Sequence, residues 1–92
     1  MATKSAHQRI YFALKVHQHR LSLGFSFAEL AERTQLSISY LNEIEKGKKF
    51  PKPDKIEQLA RVFNTSIELL LSETLPKNLE PIEELLKSNF LN

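Results

Sequence analysis

The sequence predicts an all-α fold, centred on two short helices joined by a tight turn between Ser26 and Gly47. Three observations point there. Apolar residues recur at helical spacing in successive segments, as in Phe12, Ala13 and Val16 or Ile56, Leu59, Ala60 and Phe63. Ser26 with Glu29, and later Ser37, are helix start signals. Gly24, Gly47 and Pro53 are the matching stops and restarts. At 92 residues the chain is one small domain with a modest core.

In chain order, residues 1–6 are expected to fray. A first helix should run from Ala6 to Leu23 and stop at Gly24. Phe12, Ala13, Val16, Arg20 and Leu23 form its core side. Ile10, Leu14, His17 and Leu21 form a second stripe, and a helix apolar on two sides needs two neighbours. The second helix opens with the Ser26/Glu29 capping box and ends near Thr34. The third helix, 38–46, is capped by Ser37 and closed by Gly47. Leu41 and Ile44 face inward, while Ile38, Ser39, Asn42, Glu43 and Lys46 face outward. A fourth helix starts at Pro53 and Asp54, and a fifth covers Ile67 to Leu71 after Ser66. Residues 72–80 read as a connector. Pro81 then opens a short C-terminal helix with Ile82, Leu85, Leu86, Asn89 and Phe90 along one stripe. The domain division is therefore 1–74 and 75–92, the second part serving dimerisation or opening a missing downstream region.

Composition narrows the function classes. Without cysteine there is neither a disulfide nor a thiolate metal site. No apolar run approaches the roughly 20 residues of a membrane span, and Met1 to Arg9 lack the apolar stretch of a secretory leader. The expectation is a cytoplasmic protein with no membrane association. The net charge of +2 conceals an asymmetry: residues 1–52 hold nine Lys/Arg against four Asp/Glu, and residues 53–92 hold four against seven. A basic half around a helix-turn-helix is the footprint of phosphate binding. Lys46, Lys48, Lys49 and Lys52 concentrate it in the loop after the third helix. His17 and His19 face apart on a helix, and His7 lies ten residues before His17, so no metal site is expected. No nucleophile and base set or Gly-rich phosphate loop is present, so neither an enzyme nor a cofactor or small-molecule site is expected. Arg20 sits among core positions and needs a partner; Glu45, on the packed side of the third helix, is the candidate.

Arg20, Gly24, Ser26, Glu29-Leu30-Ala31, Leu36-Ser37, Ile44-Glu45, Gly47, Pro51 and Leu59-Ala60 stand at the spacings of the lambda-repressor/Cro-like family, also called the XRE family. Phe12 to Leu71 resembles that family, most specifically over Ile44 to Pro51. The resemblance implies a five-helix DNA-binding domain of a bacterial or phage-type transcriptional regulator, with an Arg20–Glu45 pair clamping the first helix to the third. The expected partner is double-stranded DNA, bound by a homodimer. Base contacts fall to Ile38, Ser39, Asn42 and Glu43, and phosphate contacts to Ser26, Phe27, Tyr40, Lys46, Lys48, Lys49 and Lys52. Three positions depart from the family pattern. Phe27 stands where glutamine is frequent, His19 where leucine is usual, and Gln35 where the turn usually has glycine. Positive φ at Gln35 would cost on the order of 1 kcal/mol. A second reading is a protein-interaction module, an antitoxin or adaptor, because helix 38–46 lacks arginine and glutamine on its open face. The stop just after an apolar stripe suggests a fragment of a longer regulator.

Overall fold

The computed structural model describes residues 6–72. In order they form α1 (Ala6–Ser22), α2 (Phe27–Thr34), α3 (Ile38–Glu45), α4 (Pro53–Phe63) and α5 (Ile67–Leu71). No strand occurs among the described residues. Residues 1–5, the connector beyond Ser72 and the sixth helix expected from Pro81 lie outside them.

The helix ends follow local chemistry. Ser26 Oγ accepts from the Glu29 amide at 3.1 Å, and Glu29 Oε1 accepts from the Ser26 amide at 2.8 Å, closing the capping box that starts α2. Ser37 and Ser66 cap α3 and α5 through the amides of Tyr40 and Leu69, both at 3.0 Å. Pro53 stands in the first turn of α4, where a missing N–H costs nothing. Left-handed residues end three helices. Gln35 (φ 64°) caps α2, Asn64 (φ 58°) caps α4, and Gly47 (φ 75°) follows α3. Helix α3 thus stops one residue short of the expected 38–46, with Lys46 as its cap. Helix α1 ends at Ser22, and the turn at Gly24 (φ 72°) carries the chain away. Leu23, expected on the core side, is consequently 46% exposed.

Phe12, Val16, Leu30, Leu36, Leu41, Ile44, Ile56, Leu59, Ala60, Phe63 and Leu70 form one core fed by all five helices. Truncating a fully enclosed member such as Leu41 to alanine should cost roughly 2–5 kcal/mol. Helix α1 packs against α3, α4 and α5, so several neighbours from its own chain surround it. Of its second stripe, Ile10 and Leu14 are buried, His17 is half-buried, and Leu21 is 52% exposed.

Two polar residues of α1 hold the far end of the bundle. Lys15 is buried; its Nζ donates to the Leu69 carbonyl at 2.9 Å and also reaches the carbonyl and hydroxyl of Ser72. An ammonium at the last carbonyls of a helix also meets the negative end of its dipole. His19 stacks on Phe63 with 5.0 Å between ring centroids. Burial, and secondarily the nearby Lys15 charge, hold its pKa below the usual 6.5.

Candidate nucleic-acid interface

Helix α3 presents two faces because its apolar residues fall on one side. Leu41, Ile44 and Glu45 are buried. Ile38 is 49% exposed, Ser39 is exposed, and Asn42 and Glu43 are half-buried on the outer side. The C-terminal end is closed by the Gly47 amide on the Ile44 carbonyl (3.0 Å) and the Lys48 amide on the Glu43 carbonyl (2.9 Å). Arg9 Nε donates to the Gly47 carbonyl at 3.0 Å, tying α1 to that turn.

The loop that follows is pinned rather than loose. The Phe50 ring packs on Phe12 with centroids 5.1 Å apart, and Pro51 is buried. On either side of these anchors, Lys46, Lys48, Lys49 and Lys52 are exposed. Lys49 Nζ lies 3.5 Å from Glu43 Oε1 and 5.7 Å from the centre of the Tyr40 ring. Glu43 therefore has a cationic partner within its own domain. Tyr40 itself is half-buried on the α4 side of α3. Burial and then the Asp54 charge raise its phenol pKa, while the Lys52 backbone amide acts the other way. Gln35, Leu36, Ser37, Tyr40, Lys52 and Lys55 line a shallow cleft there. Lys55 escaped the sequence reading. Its spacing of three from Lys52, which puts the two on one face of a helix start, was the available signal.

Behind α3 lies an ionic junction. Arg20 Nε donates to Glu45 Oε2 at 2.7 Å and Nη2 to Oε1 at 3.2 Å. The Arg20 Nη1 donates to the Phe25 carbonyl at 3.0 Å. The Arg20 and Glu45 side chains are 11% and 5% exposed. His17 Nδ1 approaches Glu45 Oε1 at 2.8 Å, a third participant that the stripe reading had assigned to apolar packing. The start of α2 adds two aromatic faces. Arg20 Cζ lies 4.1 Å from the Phe27 ring centre, and Arg33 Cζ lies 4.7 Å from that of Phe25. Ser26, expected at a phosphate, is exposed at the same helix start with its hydroxyl engaged in the capping box.

Among the described residues no group of three or more His, Asp or Glu side chains is placed to hold a metal ion, and no helix is long and apolar enough to cross a membrane.

A capped short helix, a turn at Gln35 and Leu36, and a second helix with an open polar face beside an anchored lysine loop define a helix-turn-helix protein. The chain belongs to the helix-turn-helix domain family, which matches residues 12–72, and is of the lambda-repressor/Cro-like (XRE) type. It is 33% identical over 60 residues to the HTH-type transcriptional regulator SinR of Bacillus licheniformis and, equally, of Bacillus subtilis, which covers 64% of this chain and 54% of each relative. An uncharacterised HTH-type transcriptional regulator of Mycobacterium tuberculosis is 33% identical over 55 residues, covering 60% of this chain and 39% of that one. The chain thus spans about half the length, or less, of the curated relatives it matches. Among solved structures, a SinR protein/SinI protein complex gives a TM-score of 0.64 at 27% identity, over 88% of this chain and 82% of that one. The clp gene regulator ClgR from Corynebacterium glutamicum shares the fold, with a TM-score of 0.62 at 22% identity, over 99% and 100% of the two chains.

Proposed function

We propose that the chain is the DNA-binding part of a transcriptional regulator, reading the major groove with α3. The observation that carries this reading is the outward face of α3, Ile38, Ser39, Asn42 and Glu43, set directly beside an anchored loop of exposed lysines. A helix of this size enters the major groove, and each residue type on that face has a base partner. Asn42 pairs with adenine through two hydrogen bonds, Ile38 meets a thymine methyl, Ser39 serves base or phosphate, and Glu43 accepts from cytosine N4. Lys46, Lys48, Lys49 and Lys52 reach the flanking phosphates, with Tyr40, Ser26 and the first-turn amides of α2 completing the backbone contacts. One helix-turn-helix offers a small interface, so the protein binds as a homodimer on half-sites about 34 Å apart. In a bacterial cell that DNA lies in the cytoplasm.

The test is a salt-dependent titration of the full chain against a duplex selected from a random pool and a scrambled control. Tighter binding to the selected duplex, with affinity falling steeply as salt rises, supports the reading. Equal affinity for both sinks it. Sedimentation that gives a monomer mass at every concentration from low micromolar upward sinks the homodimer.

A second reading, an antitoxin or adaptor that binds another protein, has one observation in its favour: the related SinR was solved together with SinI. A protein partner that co-purifies stoichiometrically while selected DNA is not bound would favour it.

A further inference from the structure

The geometry points to Phe27 as a positioning residue for the reading helix: its ring covers the Arg20 guanidinium, keeps the Arg20–Glu45 pair out of water and thereby fixes the orientation of α3. This inference rests on the proposal that α3 reads DNA.

The argument starts from where Arg20 lies. Its donors are aimed in two directions, at both carboxylate oxygens of Glu45 on α3 and at the Phe25 carbonyl just before α2. Those bonds lie in the guanidinium plane, since all five N–H groups radiate within it. The flat faces have no hydrogen to offer. An aromatic ring is the side chain that matches such a face, through its electron-rich centre and its bulk. Phe27 supplies that ring at 4.1 Å. It is also packed against the core, so its own position is fixed by apolar neighbours.

The physical effect is on the ion pair. A charge pair weakens as water and salt ions reach it, because the local dielectric rises and screening sets in. With Phe27 over one face, the Arg20 side chain retains 11% of its exposure. Glu45 is the buried carboxylate of α3, at the edge of its packed side, three residues after Asn42 and seven after Ile38 and so on the helical track next to theirs. Rotation of α3 about its axis must move Glu45 against Arg20, so a stiff pair restrains the base-facing side chains. Glutamine at this position would offer a phosphate donor and leave the guanidinium face wet. Phenylalanine forgoes that donor and stiffens the reader. The resulting regulator draws more of its binding from oriented base contacts and less from this stretch of phosphate backbone.

Two readouts on the full chain test this. The first needs no DNA: the exchange rate of the Arg20 Nε–H proton, measured by nitrogen-15 NMR. The second is the ratio of affinities for the selected and scrambled duplexes. Phe27→Leu keeps an apolar side chain but loses the aromatic face; Phe27→Tyr keeps the face. Phe27→Leu should speed Arg20 exchange and lower the selectivity ratio about tenfold. Phe27→Tyr should match the parent in both. If Phe27→Leu does not fold, Phe27→Met takes its place with the same expectations. Unchanged exchange and unchanged selectivity in the leucine variant overturn the inference. So does faster exchange with unchanged selectivity, because the cover would then have no hold on the reader. A parent protein without selectivity, in which Phe27→Leu still speeds exchange, separates the cases: DNA reading fails, and with it the positioning role, while the cover on Arg20 stands.

Discussion

His17 and Glu45, 28 residues apart, meet at 2.8 Å on a carboxylate that Arg20 also grips. The two partners are not equivalent. Arg20 brings a permanent charge and two of the bonds, whereas His17 is 30% exposed and touches one oxygen. Arg20→Ala leaves Glu45 buried without its cation and should cost roughly 3–5 kcal/mol, less to the extent that water enters. His17→Ala should cost about 1 kcal/mol, since Arg20 remains. Denaturant melts of both variants, of Glu45→Ala and of the Arg20/Glu45 double variant check this. Strict additivity of the Arg20 and Glu45 losses would show that the two are not coupled.

The stacked His19 predicts an acid-side loss of stability. Its folded pKa lies below the unfolded value of 6.5, so the unfolded chain takes up the proton first. Stability from this group is therefore full above about pH 6.5 and declines as pH falls from there toward the folded pKa. His19→Phe retains a ring against Phe63 and cannot protonate. Melting temperatures followed from pH 7.5 to 5 should fall less for His19→Phe than for the parent. Parallel curves would refute the assignment.

Gln35 holds a left-handed conformation at φ 64° in the turn of the helix-turn-helix. Its side chain recovers one bond, from Nε2 to the Glu32 carbonyl at 2.8 Å. Gln35→Gly removes strain of roughly 1–2 kcal/mol and gives back part of it through the lost bond and a looser unfolded chain. The net expectation is a rise in melting temperature of a few degrees. A fall would mean that the side-chain bond outweighs the strain.

Lys15→Met keeps most of the aliphatic stem but withdraws the ammonium from the last carbonyls of α5. A charged hydrogen bond of this kind is worth roughly 1.5–3 kcal/mol. Hydrogen exchange should speed first in α5, before the rest of the bundle, because that helix has only five residues and Lys15 bonds its last turn. Uniform acceleration through all five helices would argue against a local clamp.

On the DNA side, the outer face of α3 and the loop should fail differently. Asn42→Ala should weaken binding to the selected duplex by roughly 1–3 kcal/mol and hardly touch the scrambled one. Lys48→Ala should weaken both and flatten the salt dependence by about one charge. Lys49→Ala should flatten it less, because Glu43 at 3.5 Å already offsets that charge. Glu43→Gln lowers specificity if Glu43 reads cytosine, and raises affinity on every sequence if it only repels phosphate. Binding left intact by Asn42→Ala and Glu43→Gln together would remove α3 from the role of reader.

The capped helices were legible because their signals are local. Ser26 with Glu29, Ser37 before Tyr40, and Gly47 after Glu45 each act within one turn of the backbone. The meeting of Arg20 and Glu45 follows from a rule nearly as short, that a charge among core positions requires its opposite. What stayed hidden depends on contacts across the fold. Lys15 finds the end of α5, 54 residues away in the chain. His17 looked like a member of an apolar stripe because periodicity records which side a residue is on, not what waits there. For Phe27 the sequence leaves two places open, beside Phe25 or toward the DNA backbone, and the Arg20 guanidinium 4.1 Å from its ring centre is visible only in the fold. Leu23 still donates its amide to the His19 carbonyl at 3.1 Å, yet it lies past the last residue of α1 and is 46% exposed, because periodicity does not say how far along a helix the core extends.

Phe50 on Phe12 and the buried Pro51 have a consequence for the shape of duplex the protein accepts. The loop backbone is held at Gly47 by Arg9 and at Phe50 and Pro51 by the core, so where the lysine stems leave the chain relative to α3 is set before any duplex arrives. Such a ruler fits one pitch and one groove width. B-form DNA has a major groove wide enough for a helix, whereas an A-form RNA duplex closes that groove and shifts the phosphates. On the proposed reading by α3, discrimination between the two helical forms would follow from an aromatic pair and a proline set behind the loop.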